Sequence, residues 1–66
     1  MPTHTDAAIR QRIENGQKSL NDAKLHFERL LADSDPLNRA IDRALFDMAL
    51  ERVEVYAESA IRLANQ

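Results

Sequence analysis

The sequence predicts an all-α protein, an antiparallel two-helix hairpin that assembles into a helical bundle. The first observation is composition, since the 66 residues include one Gly and two Pro and are rich in the helix-favouring Ala, Leu, Glu and Arg. The second is an alternating spacing of four and three between apolar residues in the first half of the chain. The third is a Ser-Asp-Pro turn signal at 34–36. We expect one domain, 1–66, with helices over about 5–33 and about 36–64.

The first predicted helix carries one apolar seam with heptad spacing, which is typical of helices that pack side by side. The seam consists of Ile9, Ile13, Gly16, Leu20, Ala23, Phe27 and Leu30. Gly16 costs a helix interior ~1 kcal/mol relative to Ala. Because the spacing runs through Gly16 without a change of phase, we predict one continuous helix, with a slight kink at most. The alternative is a break at Asn15-Gly16, with Ser19 capping a new helix.

The turn between the helices is predicted at 33–35, where Asp-Ser-Asp stands in front of Pro36. Proline confines the residue before it to extended geometry, so the first helix has to end here. Proline is also favoured in the first turn of a helix, with Ser or Asp as the cap before it. A connection this short predicts that the two helices are antiparallel neighbours.

The second predicted helix is apolar over a wide arc. The positions expected to face the first helix are Leu37, Ile41, Ala44, Leu45 and Met48 in the first half, then Ala49, Val53, Tyr56, Ala60 and Leu63 or Ala64 in the second. A further apolar stripe beside them consists of Phe46, Leu50, Ala57 and Ile61. A helix that packs against one neighbour needs a stripe of roughly 100°, and this arc is about twice as wide. We therefore expect a second packing surface, covered by another chain.

We predict that this second surface is a partner interface. Its residues are Phe46, Leu50, Val53, Ala57 and Ile61. The expected partner is either a second copy, in a homodimeric four-helix bundle, or a larger helical protein. In either case burial of the apolar face supplies the affinity, while the charged residues around it set orientation and solubility.

The charged residues leave two alternative functions open. An acidic strip on the second helix consists of Asp47, Glu51, Glu54 and Glu58. This strip is either the solvated face of an amphipathic helix or a docking face for a basic partner, as in a small phage-type inhibitor. The basic residues spread around the first helix are Arg10, Arg12, Lys18, Lys24 and Arg29. A helical dimer that tracks nucleic-acid phosphates with them is the second alternative, although a net charge of −2 argues against a dedicated nucleic-acid binder.

The sequence predicts no catalytic, cofactor-binding or metal-binding residues, so we expect neither an enzyme nor a small-molecule substrate. It contains no Ser-His-Asp set and no Gly-rich phosphate loop. Asp22 and His26 lie at a spacing that can hold a metal, but two ligands are too few for a dedicated site. No run of apolar residues approaches the ~20 that a bilayer-crossing helix needs. With no apolar stretch in the first twenty residues, we expect no signal peptide, no membrane insertion and a cytoplasmic location.

The segment from Leu30 to Leu37 reads Leu-Leu-Ala-Asp-Ser-Asp-Pro-Leu and is flanked by predicted helices. It resembles the turn of bacterial type III secretion needle subunits, which are small helical hairpins with an Asn/Ser-Asp-Pro turn. The chain length and the hairpin form are also similar to those of the small co-chaperones that hold needle subunits before export. The resemblance implies a structural or chaperone-like component of a secretion system that acts through helix–helix packing.

Overall fold

The fold is a hairpin of two helices joined by a three-residue turn at 33–35. A computed structural model describes residues 4–66. The first helix, α1, is His4–Ala32, and the second, α2, is Pro36–Ala64. They pack side by side in a single layer, with extents of 51 × 17 × 11 Å. The predicted all-α hairpin is confirmed, and α1 runs through Gly16 as one continuous helix.

Local side-chain chemistry closes the turn and starts α2. The backbone of Asp35 is extended, with φ −76° and ψ 120°, and its Oδ1 accepts a hydrogen bond from the Leu37 N–H at 3.0 Å. The Oδ1 of Asp33 accepts a hydrogen bond from the Asp35 N–H at 3.0 Å. Pro36 occupies the first turn of α2, where its missing N–H costs nothing. The predicted arrangement, an Asp cap followed by proline, is therefore confirmed.

Arg39 connects the start of α2 to the end of α1. Its Nη1 donates hydrogen bonds to the carbonyl oxygen of Leu30 at 2.8 Å and to that of Asp33 at 3.0 Å. The last carbonyls of a helix lack partners within the helix, and a cationic donor placed there satisfies them. These two hydrogen bonds hold α2 in an orientation in which its Arg39 side faces the end of α1.

Removing the cap tests how much the turn contributes to stability. We expect Asp35→Ala to lower the free energy of unfolding by about 1 kcal/mol, because the Leu37 N–H loses its acceptor. Urea unfolding followed by circular dichroism measures the loss. The exposed neighbour Ser34 provides the control, since Ser34→Ala should change stability by less than ~0.5 kcal/mol. An equal loss in both variants would show that the cap is unimportant.

The seam between the helices is lined mainly by small and polar side chains. The inward positions of α1 are the buried Ser19 and Ala23 and the half-buried Ile9, Arg12, Gly16, His26 and Leu30. Those of α2 are the buried Ala49 and the half-buried Asp42, Phe46, Val53, Tyr56, Ala60 and Leu63. Within residues 4–66, the buried apolar residues are Ala23 and Ala49, and no large side chain is fully buried. The single hairpin therefore has very little core.

The prediction of which residues face the seam is right for half of α2. Its second half is confirmed, with Ala49 buried and Val53, Tyr56, Ala60 and Leu63 half-buried. Its first half is wrong, because Leu37, Ile41, Ala44, Leu45 and Met48 are all exposed. The inward positions of α2 keep one heptad spacing along the whole helix, which places Asp42 and Phe46 on the seam. The hydrogen bonds of Arg39 to the end of α1 hold the first turns of α2 in this orientation.

The predicted seam of α1 is also only partly correct. Ile13, Leu20 and Phe27 are 52%, 52% and 43% exposed. Compared with the prediction, α1 is rotated about its axis so that Ser19 and Ala23 face α2. Their small side chains allow the two helices to pack closely. The larger side chains are consequently left beside the seam, on one side of the hairpin.

Candidate helix-packing surface

One broad side of the hairpin is apolar on both helices, and we call it the front surface. It consists of Ile13, Leu20 and Phe27 of α1 together with Phe46, Leu50, Val53, Ala57 and Ala60 of α2. The α1 members recur every seven residues, which keeps them on one face of a helix packed in a heptad register. The front surface therefore extends along the middle part of both helices, with the polar residues Arg12, Gln17, Asn21 and Lys24 beside it.

Two shallow grooves divide the front surface, and their shapes differ. The aromatic groove, of about 420 Å³, lies beside Phe27 and Phe46, whose ring centroids are 5.5 Å apart. The small-residue groove, of about 240 Å³, contains Gly16, Ala57 and Ala60. Leu20 lines both grooves and so marks the boundary between them. One half of the front surface thus carries two large aromatic side chains and the larger groove, while the other half carries small side chains and the smaller groove.

The structure places most of the predicted partner interface on this surface. Phe46 and Leu50 line the aromatic groove, while Val53 and Ala57 line the small-residue groove. Ile61 lies exposed farther along α2 and lines neither groove. Phe46 also packs against Phe27 within the hairpin, so it belongs to the seam as well as to the front surface.

Sequence reasoning missed the contribution of α1 to this surface. Ile13, Leu20 and Phe27 were predicted to face α2, and the structure leaves them about half exposed beside it. The available signal was the adjacent stripe of small residues, Gly16 and Ala23, which favours the closer helix contact. Both heptad positions of α1, the one with Gly16 and Ala23 and the one with Leu20 and Phe27, are apolar. The sequence of α1 alone therefore does not show which of them faces α2.

Polar contacts between the helices lie along the rest of the seam. Arg12 Nε donates a hydrogen bond to Ser59 Oγ at 3.1 Å. Arg52 Nη2 lies 4.0 Å from Asp22 Oδ2, and both side chains are about half exposed, so this pair contributes at most ~1 kcal/mol. His26, at metal-ligand spacing from Asp22, lies on the seam. Its Nδ1 is buried and has no hydrogen-bond partner. These contacts help to set the register of the two helices.

The acidic strip and the basic residues are displayed mainly to solvent. Asp47, Glu51, Glu54 and Glu58 are all exposed along α2. Arg43 Nε lies 3.3 Å from Asp47 Oδ1, which offsets part of the negative charge of the strip. Of the basic residues of α1, Arg12 is half-buried against Ser59 and the others are exposed.

A second group of exposed apolar residues, which we call the α2 stripe, is confined to one helix. It consists of Leu37, Ile41, Leu45, Met48 and Val55. Met48 and Val55 line a groove together with Glu51, Arg52 and Tyr56, so charged groups interrupt the stripe. The α2 stripe therefore differs from the front surface in that it lies on one helix only.

Comparison of the chain with protein families, curated proteins and solved structures finds no match. Across residues 4–66, neither helix is long and apolar enough to cross a membrane. The same part of the chain holds no group of three or more His, Asp or Glu side chains arranged to bind a metal ion.

Gly16 forms part of the small-residue groove and tests how closely the helices pack there. A Cβ at this position would lie 3.7 Å from Tyr56 Cβ, an ordinary van der Waals distance. We expect Gly16→Ala to raise the free energy of unfolding by about 0.5–1 kcal/mol, because Ala favours helix without a clash. Urea unfolding measures the gain, with Gln17→Ala at the exposed neighbouring position as the control. A lowered midpoint for Gly16→Ala would mean that a helix, either α2 or one of a second chain, packs on Gly16 too closely for a methyl group.

Proposed function

We propose that this chain is a non-enzymatic protein–protein interaction module that acts through helix–helix packing. The observation that carries the proposal is the front surface, which is apolar on both helices and lies open in the single chain. Contiguous apolar surface of this kind is characteristic of sites that other proteins cover. The helices of another chain are the natural occupants, because the grooves run between two parallel rows of side chains.

The energetics of the hairpin support this proposal. The chain exposes 5146 Å², whereas a compact monomer of 7.5 kDa exposes roughly 4,200 Å². Stable domains usually bury apolar faces between two layers of secondary structure, and this hairpin is one layer. Full burial of a Leu, Ile or Phe side chain contributes about 1.5–3 kcal/mol. We therefore infer that packing against a partner supplies much of the stability of the folded chain.

A finer proposal concerns the cellular role. The Leu30–Leu37 segment resembles the turn of type III needle subunits, which favours a structural or chaperone-like component of a secretion system in the cytoplasm. Secretion by cells that lack the chain provides the test. Restoration by the wild-type chain, but not by a chain with Leu20→Glu on its front surface, would support this role. Normal secretion without the chain would contradict it.

The general proposal is tested by the concentration dependence of folding. Thermal unfolding should be followed by circular dichroism from about 1 to 100 µM, because binding to the folded state alone makes Tm depend on concentration. A Tm that rises with concentration supports association through the front surface. A loosely helical monomer that binds a hydrophobic dye supports docking on a different protein. A monomer that unfolds cooperatively at a constant Tm and binds no dye would refute the proposal.

A further inference from the structure

We propose that the partner covering the front surface is a second copy of this chain. The two copies would be related by a two-fold axis perpendicular to the helices, so that their turns lie at opposite ends of a four-helix bundle. This inference rests on the proposed function and specifies its partner. The area of the broad side, the spacing of its apolar residues and the sizes of their side chains support a second copy.

The size of the broad side that carries the front surface suits a dimer. This side measures 51 × 17 Å, which is comparable to the ~800 Å² that each partner contributes to a standard stable interface. The front surface occupies its middle part, from Ile13 to Phe27 on α1 and from Phe46 to Ala60 on α2. The hairpin is 11 Å thick, and a second copy would complete a two-layer domain. A second copy also has two antiparallel helices of equal length to lay over the two grooves.

The apolar residues of α1 are arranged symmetrically about Leu20. Ile13 lies seven residues before Leu20 and Phe27 lies seven residues after it. A two-fold axis through Leu20 would therefore place Leu20 opposite Leu20 of the second copy, and Ile13 opposite Phe27 of the second copy. Every large α1 side chain of the front surface would then meet another apolar side chain.

The front-surface residues of α2 are arranged about Val53 in the same way. Phe46 and Ala60 lie seven residues to either side of Val53, while Leu50 and Ala57 lie three and four residues away. An axis through Val53 would pair Phe46 with Ala60 and Leu50 with Ala57, a large residue against a small one in each case.

The two centres lie at the same height along the hairpin. Leu20 and Val53 line the same groove. Their neighbours Asp22 and Arg52 approach to 4.0 Å across the seam. One axis perpendicular to the helices therefore passes through both centres, as a single dimer symmetry requires.

The sizes of the side chains favour this axis over one parallel to the helices. The perpendicular axis lays the Phe27–Phe46 ring pair of each copy over the small residues Gly16, Ala57 and Ala60 of the other. An axis parallel to the helices would place both ring pairs in one layer and both groups of small residues in another. Close packing favours the first arrangement, because large side chains then face small ones in both layers.

A size swap across the axis tests the pairing of Leu50 with Ala57. Leu50→Ala and Ala57→Leu should each raise the Kd for self-association at least ~10-fold, one through a cavity and the other through overpacking. The double variant exchanges large and small residues and should restore the Kd to within ~3-fold of wild type, since residues in contact are not additive. Sedimentation equilibrium measures the three Kd values. Losses that simply multiply in the double variant would overturn the pairing.

Spin labels on the turn test the orientation independently. The chain contains no Cys, so Ser34→Cys, at an exposed position, gives one label per copy. With fourteen residues between Leu20 and Ser34 at 1.5 Å each, turns at opposite ends place the labels about 40–45 Å apart. A separation below ~20 Å would place the turns together, since packed helices lie 8–10 Å apart, and would overturn the proposed axis.

Sedimentation, thermal unfolding and dye binding of the wild-type chain separate this inference from the proposed function. A chain that stays monomeric and loosely helical, and that binds a hydrophobic dye, would overturn the second copy and leave docking to another protein in place. A chain that stays monomeric, unfolds cooperatively and binds no dye would overturn both. A dimer with widely separated labels and a restored double variant is the expected result.

Discussion

Leu20→Glu is expected to abolish association of the chain, whereas Leu25→Glu should leave it intact. Leu20 lies between the two grooves of the front surface, so association would bury the new carboxylate without a partner. An unpaired charge in an apolar interface costs several kcal/mol, which corresponds to a loss of at least ~1000-fold in affinity. Sedimentation velocity over a range of concentrations, with circular dichroism of the same samples, measures the difference.

Leu25 is a closely matched control. It lies on the same helix and is 45% exposed in the single chain, compared with 52% for Leu20. Five residues turn a helix by about 140° from Leu20, which removes Leu25 from the front surface. A third variant, Met48→Glu, examines the α2 stripe in the same way. Loss of association in Met48→Glu but not in Leu20→Glu would show that the α2 stripe, and not the front surface, binds the partner.

Ala49→Leu is expected to lower the free energy of unfolding by about 2–3 kcal/mol, because it overpacks the most buried part of the seam. Ala49 is 0% exposed and Ala23 is 1% exposed, so a larger side chain at 49 has to push the helices apart. Such a loss is a large fraction of the stability of a small domain. Urea unfolding at fixed protein concentration, followed by circular dichroism, measures it.

Ala44→Leu adds the same atoms at an exposed position of the same helix. Its effect on the free energy of unfolding should stay within ~0.5 kcal/mol, as for most surface substitutions. If Ala49→Leu unfolded at the same urea concentration as Ala44→Leu, the close approach of the two helices at Ala23 and Ala49 would be disproved.

Much of the fold was predictable from local sequence signals. The positions of the helix ends near the turn follow from Pro36 and from the carboxylate of Asp35, which act on the backbone within a few residues. The continuity of α1 through Gly16 follows from an apolar spacing that keeps its phase on both sides. The predicted need for a second packing surface also came from the sequence, through the wide apolar arc of α2.

The sequence by itself determined the helices and the turn, because both depend on contacts between residues close along the chain. It also determined the antiparallel arrangement, because a three-residue connection leaves the two helices side by side. The tertiary structure alone decided which stripe of each helix faces the other. Rotation of a helix about its axis depends on both helices at once, and small side chains such as Ser19, Ala23 and Ala49 allow the closest approach. The contacts of Arg39 with the end of α1 then hold that rotation. Consequently, Leu20 and Phe27 lie on the front surface and not on the seam where the sequence predicted them.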